Sequence, residues 1–295
     1  MKALWGAWTW EPLVGLTVGM TACWYAVGVR RLWHQAGVGR SVGRRHAWLF
    51  AAGLLAVFLA LVSPLDALGD ALFSAHMTQH LILIVIAAPL LVLGRPLLPF
   101  VWALPPSWRQ RAGRWWAAGP PVRVALGAIT LPGVVWVGHV TALGFWHVPA
   151  PYGWAYNHEW VHVIEHASFL CTGCLFWWVV FQPTGRRRLG YGAAVVYVSA
   201  LAAVMGAFAA VLTFARTPWY VEHLYRTAAW GLTPLEDQQL AGLVMWIPTS
   251  VVYLAAVSFC FVQWLEKDGG APRRRSLGPL PPTPEPSYVA SSVVS

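Results

Sequence analysis

An all-α integral membrane protein is the fold class the sequence predicts, and three observations predict it. Hydrophobic residues make up 58% of the 295-residue chain and charged residues only 11%, against roughly 25% charged in soluble domains. A water-soluble body of this size could not cover itself with so few charges. Seven stretches are apolar over the ~20 residues that a helix needs to cross a ~30 Å hydrocarbon core: 12–32, 47–64, 70–93, 122–145, 158–181, 190–214 and 239–264. None alternates polar and apolar residues as a barrel strand would, so all seven are read as helices.

The linkers between these spans divide by charge. Arg30, Arg31, Arg40, Arg44 and Arg45 surround the first, and Arg95, Arg109, Arg111, Arg114 and Arg123 surround the third. Arg186 to Arg188 fill the fifth, and Lys267 with Arg273 to Arg275 follow the last span. These are 17 of the 20 Lys and Arg residues; the opposite side holds only Lys2, Arg216 and Arg226. The positive-inside rule then predicts an outside N-terminus and a cytoplasmic C-terminus in a multi-pass membrane protein. The net charge of +9 is therefore topological. It implies contact with membrane lipid and no nucleic-acid partner.

The N-terminus is not expected to be a signal peptide, because it has an early Glu11, no small-residue cleavage site and a full-length first span. Residues 1–266 are expected to form one seven-helix transmembrane domain. Residues 267–295, rich in Pro, Ser, Gly and Arg, are expected to form a disordered cytoplasmic tail.

Ionisable groups inside spans are costly in lipid, so each is a functional hypothesis. His76 and His80 fall in the outer half of the third span and His139 below the outer end of the fourth. His162, Glu165 and His166 descend the outer half of the fifth, and Asp237 opens the seventh with Met245 on its face. At about 100° per residue, each helix carries one polar stripe at a common depth. Converging stripes are how bundles build metal or cofactor sites; the alternative is interhelical hydrogen bonding. Imidazoles suit copper, zinc and iron, and nearby Met leans toward copper. The candidate metal set is His76, His80, His139, His162, Glu165, His166, Asp237 and Met245.

Two patterns could mislead. His158-Glu159-Trp160-Val161-His162 reads H-E-x-x-H, and His162-Val163-Ile164-Glu165-His166 reads H-x-x-E-H; both occur in zinc proteases. Their overlap suggests a stripe of ligands more than one hydrolytic unit, and no enzyme activity is expected. Cys171 and Cys174 form a C-x-x-C, but helical phase turns both away from His162. Trp146, Tyr152, Trp154, Tyr156, Trp219, Tyr220 and Tyr225 in the outer linkers are read as interfacial anchors, with a partner-docking surface as the alternative that uses the same residue types.

Three motifs together resemble the CtaG-type cytochrome c oxidase assembly factors, multi-span proteins associated with caa-type oxidases. The first is His76-Met77-Thr78-Gln79-His80, continuing to Ala88-Pro89-Leu90 and Gly94-Arg95-Pro96. The second is His162 to His166 with Trp146-His147 before it. The third is Asp237-Gln238-Gln239-Leu240-Ala241-Gly242 with Met245-Trp246. The resemblance covers nearly all seven spans and does not require His158. It implies the bacterial cytoplasmic (inner) membrane and a role in maturing a heme–copper oxidase, with oxidase subunits as partners and copper handled on the outer face. Heme binding and zinc binding are the alternatives for the same histidines.

Overall fold

In lipid every backbone amide must find its partner within its own segment, so long apolar runs become helices. The computed structural model describes residues 8, 9, 11–181 and 189–269, and among these it contains helices and turns and no strand. Arg186 to Arg188 and the expected tail beyond Gly269 lie outside the described residues. In chain order the helices are α1 (Pro12–Ala36), α2 (Arg44–Val62), α3 (Pro64–Gly69), α4 (Phe73–Leu81), a π-helical segment (Ile82–Ala87), α5 (Ala88–Leu93), α6 (Leu97–Ala103) and α7 (Pro106–Ala118). They continue with α8 (Pro120–Ile129), α9 (Pro132–His147), α10 (Pro149–Asn157), α11 (Glu159–Phe181), α12 (Tyr191–Thr213) and α13 (Pro234–Gly269). The last runs past the expected boundary at 266.

Among the described residues, six helical stretches are long and apolar enough to cross a membrane: α1, α2, the continuous run Phe73–Leu93, α11, α12 and Pro234–Glu266. The expected span 122–145 is not one helix. It is broken at Thr130 and Leu131, between α8 and α9. The cause is Pro132, whose ring pushes the preceding residue out of the helical region; Leu131 sits at φ −61° and ψ 132°. Large apolar side chains such as Leu16, Val196, Val251 and Leu254 face outward and are exposed, as lipid-facing surface requires.

The core sits where α4, α5, α9, α11, α12 and α13 meet, around Phe73, Leu143, Phe169, Phe176, Trp177 and Leu201. Helix α12 packs along α13, α9 along α11, and α5 against both α2 and α11. A smaller core joins α1, α2 and α6 through Tyr25, Val29, Leu32 and Phe50. There Gly28 is obligatory: a Cβ at this position would overlap the Pro99 carbonyl of α6.

The third membrane stretch changes pitch just after His80. Pro89 has no amide hydrogen, so the helix loses the bond that would end on Val85. Ala88 N–H bonds Leu83 O, five residues back, which leaves Ile84 O free. The buried Trp177 indole donates to that carbonyl at 2.9 Å. The π segment is thereby tied to α11, which carries the other half of the site, and π segments of this kind recur at functional sites.

The two ends of the bundle differ in charge. At one end Arg31 caps α6 by donating to Ala103 O at 2.6 Å, and Arg95 donates to Ser41 O at 3.2 Å. At the other, Thr9 donates to Asp66 at 2.8 Å and Arg226 to Asp70 O at 3.1 Å. The buried histidines lie toward this second, acid-rich end.

Candidate metal centre

His76 and His80 are one turn apart on α4, and His162, Glu165 and His166 span one turn of α11. The two stripes face each other. Ring centroids are 5.2 Å apart for His76 and His162, 5.1 Å for His80 and His166, and 4.2 Å for His162 and His166. His76, His80, Glu165 and His166 are buried, Glu165 completely, and His162 is half-buried at the outer edge.

The Glu165 carboxylate lies between the two α4 histidines. One oxygen is 3.8 Å from His76 Nε2 and the other 3.7 Å from His80 Nε2. Neither distance is a hydrogen bond. Both Glu165 oxygens and the Nε2 atoms of His76, His80, His162 and His166 are buried without a hydrogen-bond partner. Buried polar atoms are nearly always paired, and leaving a carboxylate bare is expensive. A cation among these atoms satisfies all of them together. Among the described residues, two triads have ligand atoms within 4.8 Å of one another: His76, His80 and His166, and His76, His162 and Glu165. Ligands bound at about 2 Å to one ion sit roughly 3–4 Å apart, so loading asks for a modest closing of the helices. The residues fit a metal ion of borderline softness.

Three expected ligands stand elsewhere. Asp237, from the first turns of α13, accepts from Phe73 N at 2.6 Å, Ser74 N at 3.2 Å and Ser74 Oγ at 2.5 Å. It caps α4 across the bundle, supplying acceptors to amides that no helical carbonyl can reach. His139 lies on α9 with its Nδ1 2.8 Å from Thr172 Oγ1 and its ring stacked on Phe176. Met245 does not join the carboxylate; it lines a small cavity on the other side of His80.

The motif glutamines position the site. Gln79 Nε2 donates to Ala60 O at 2.9 Å and to Asp66 at 2.8 Å, fixing α4 to α2 and α3. Gln238 accepts from Trp219 N at 2.6 Å, and Gln239 donates to Ala215 O at 3.0 Å. Both hold the segment 215–233 over the histidine end of the bundle. Gly242 lets α13 approach α12, since a Cβ there would meet Thr213 N at 2.7 Å.

Sequence reasoning missed the cover of the site. Tyr152, fully buried on α10, packs edge-on against His76 at 5.2 Å, and its hydroxyl is 2.7 Å from His223 Nε2. Both lie in linkers rich in Trp and Tyr, where composition cannot separate an anchor from a cover. Beside this cover is an acidic rim. The Asp70 carboxyl is held above its ordinary value, first by burial and then by the charge of Asp66. Glu11 is shifted the same way by burial, Glu159 and Asp66. Carboxylates at such a rim would favour a cation near His162.

The overlapping protease-like patterns separate in space. His158 and Glu159 are exposed, with His158 bonded to Trp154 O at 3.0 Å, while His162 belongs to the cluster. Cys171 is exposed, and Cys174 approaches Ala88 O on α5 at 4.0 Å. As helical phase predicts, neither is in the ligand groups formed by the described residues.

Comparison with known proteins fits this architecture. Residues 23–267 match the family described as cytochrome c oxidase caa3 assembly factor. A Mycobacterium leprae protein is 27% identical over 271 residues, covering 88% of this chain and 40% of its own. A Mycobacterium bovis protein is 27% identical over 268 residues, with the same coverage. The chain thus spans two fifths of the length of these relatives. No solved structure matches it. With most of its length matched, and with the motif residues gathered into one buried cluster and its supports, the chain belongs to the cytochrome c oxidase caa3 assembly factor family.

Proposed function

We propose that this chain is a non-catalytic assembly factor of a bacterial cytoplasmic membrane. It holds copper between α4 and α11, on His76, His80, His162, Glu165 and His166, and serves maturation of a metal centre in a heme–copper oxidase. The observation that carries this reading is the Glu165 carboxylate, buried between two imidazoles without a hydrogen bond. Four imidazoles and a carboxylate suit Cu(II), and the client named by the family is an oxidase whose class contains copper. Centroid spacings of 4.2–5.9 Å among the four rings leave room for an ion and none for a porphyrin. Copper analysis of the detergent-purified full chain tests the reading, with the metal expected to survive a chelator wash. A Soret band would overturn it in favour of heme. Zinc as the sole metal, with peptide hydrolysis lost in Glu159→Gln, would overturn it in favour of a protease.

The same proposal places the histidine end outside, with seven crossings. The chain passes from Arg95 at the basic end to His147, whose carbonyl accepts from Tyr220 at the opposite end, so α8 and α9 together make the fourth crossing. In a cysteine-free background, a cysteine at Asn157 should react with a membrane-impermeant maleimide in spheroplasts. One at Ser107 should react only after permeabilisation. The reverse pattern sinks the orientation, and labelling of both from outside sinks the seven-span count.

A further inference from the structure

Three of the chain's five methionines line one cavity on the inward side of His80. Met77 comes from α4, Met205 from α12 and Met245 from α13, and His80, His147 and Thr249 complete its chemistry. The three thioethers are 2–5% exposed. Methionine fills irregular gaps in many cores, so its presence alone decides nothing. The His147 imidazole supplies the second observation. Its Nδ1 is 2.7 Å from Leu143 O, so that nitrogen carries the hydrogen and Nε2 holds the lone pair. The Nε2 is buried without a partner. A backbone carbonyl that fixes one ring nitrogen and presents the other as a base is the usual support for a metal-bound histidine. Thr249 Oγ1 and His80 Nδ1 are likewise buried and unpaired.

The donor set defines the ligand. The cavity lining includes thioethers and imidazoles and no carboxylate, so the lining itself supplies no negative charge to offset a divalent ion. Thioethers select soft cations, Cu(I) before Zn(II) or Cu(II). The cavity is small, with about 10 Å³ of free volume, near the least that holds one water, a size that suits a single ion. We propose that Met77, Met205, Met245 and His147 form a second metal site, a chamber for a soft monovalent cation such as Cu(I). It adjoins the His–Glu cluster through His80. The proposal goes beyond the copper reading of that cluster, since it requires neither Glu165 nor His162.

The test uses the purified full chain under anaerobic conditions, titrated with Cu(I) and with Ag(I) as a redox-inert mimic. X-ray absorption of the loaded wild type should show sulfur scatterers around the ion. Met77→Leu with Met205→Leu and Met245→Leu conserves core volume and should remove those scatterers. Its Cu(I) affinity should fall by at least the roughly 10–100-fold that losing an outer-shell partner costs, with Cu(II) binding at the cluster unchanged. His162→Ala with Glu165→Gln should do the converse, losing Cu(II) and keeping Ag(I). Light-atom scattering only in the wild type, or unchanged Cu(I) affinity in the triple variant, overturns the chamber. The scattering result alone decides if the triple variant does not accumulate. Wild type that binds Ag(I) through sulfur but no Cu(II) would leave the chamber standing and remove the copper cluster.

Discussion

His76→Ala is expected to strip nearly all Cu(II) from the purified chain and to stop oxidase maturation, and adding His166→Ala should make matters little worse. His76 belongs to both potential triads, and its ring contacts those of His80, His162 and His166. Groups that act on one ion are non-additive, because once the first substitution empties the site the second has little left to remove. Histidines that only pack helices would behave otherwise. Interhelical polar contacts in bundles contribute about 0.6 kcal/mol each and at most roughly 1.7, and their losses add. The Nε2 atoms of His76 and His166 have no hydrogen bond to lose. Protein abundance should therefore fall modestly in either single variant, while copper per molecule collapses. Glu165→Gln sharpens the contrast. Replacing a buried, unbonded carboxylate by an amide should raise the melting temperature of the metal-free protein while weakening Cu(II). Additive loss of abundance with copper per molecule unchanged would reduce the cluster to packing.

The residues that meet at this cluster were legible because two helical stripes at one depth leave little freedom. His76 with His80, and His162 with His166, each follow an i, i+4 spacing that puts both side chains on one face. Depth without rotation misled at His139: the residue is at a suitable level, but its helix turns it toward Thr172 and Phe176. Asp237 misled for another reason. An acid at the membrane edge reads as functional, yet the α4 N-terminus that it caps exists only because the chain breaks between α3 and α4. Hydropathy starts that span at residue 70 and does not show that α4 begins only at Phe73, with bare amides there. The same blindness merged α8 with α9, although Pro132 was there to be read. Residues of the cover, Tyr152 and His223, are brought together from positions 71 apart in the chain, and no local pattern encodes that pairing.

Asp237→Ala should therefore act on folding and not on copper. The side chain is fully buried and serves three donors at the start of α4: Phe73 N, Ser74 N and Ser74 Oγ. These amides belong to the first turn and have no carbonyl within their own helix. The carboxylate also meets the positive end of the helix dipole. Alanine leaves at least two buried amides unpaired at about 1–3 kcal/mol each, a total on the order of 2–6 kcal/mol. Set against a typical stability of about 5–15 kcal/mol, that loss should cut the amount of protein in the membrane several-fold. Molecules that do fold keep α4 in place, because the transition is cooperative, so their copper content per molecule should match wild type. Asp237→Asn keeps one acceptor oxygen without the charge and should fall between. The measurements are quantitative immunoblotting of membranes and metal analysis of the same purified fractions. Normal accumulation of Asp237→Ala with copper lost would make the aspartate a ligand after all, and would require α4 to be held at its outer end by contacts other than this cap.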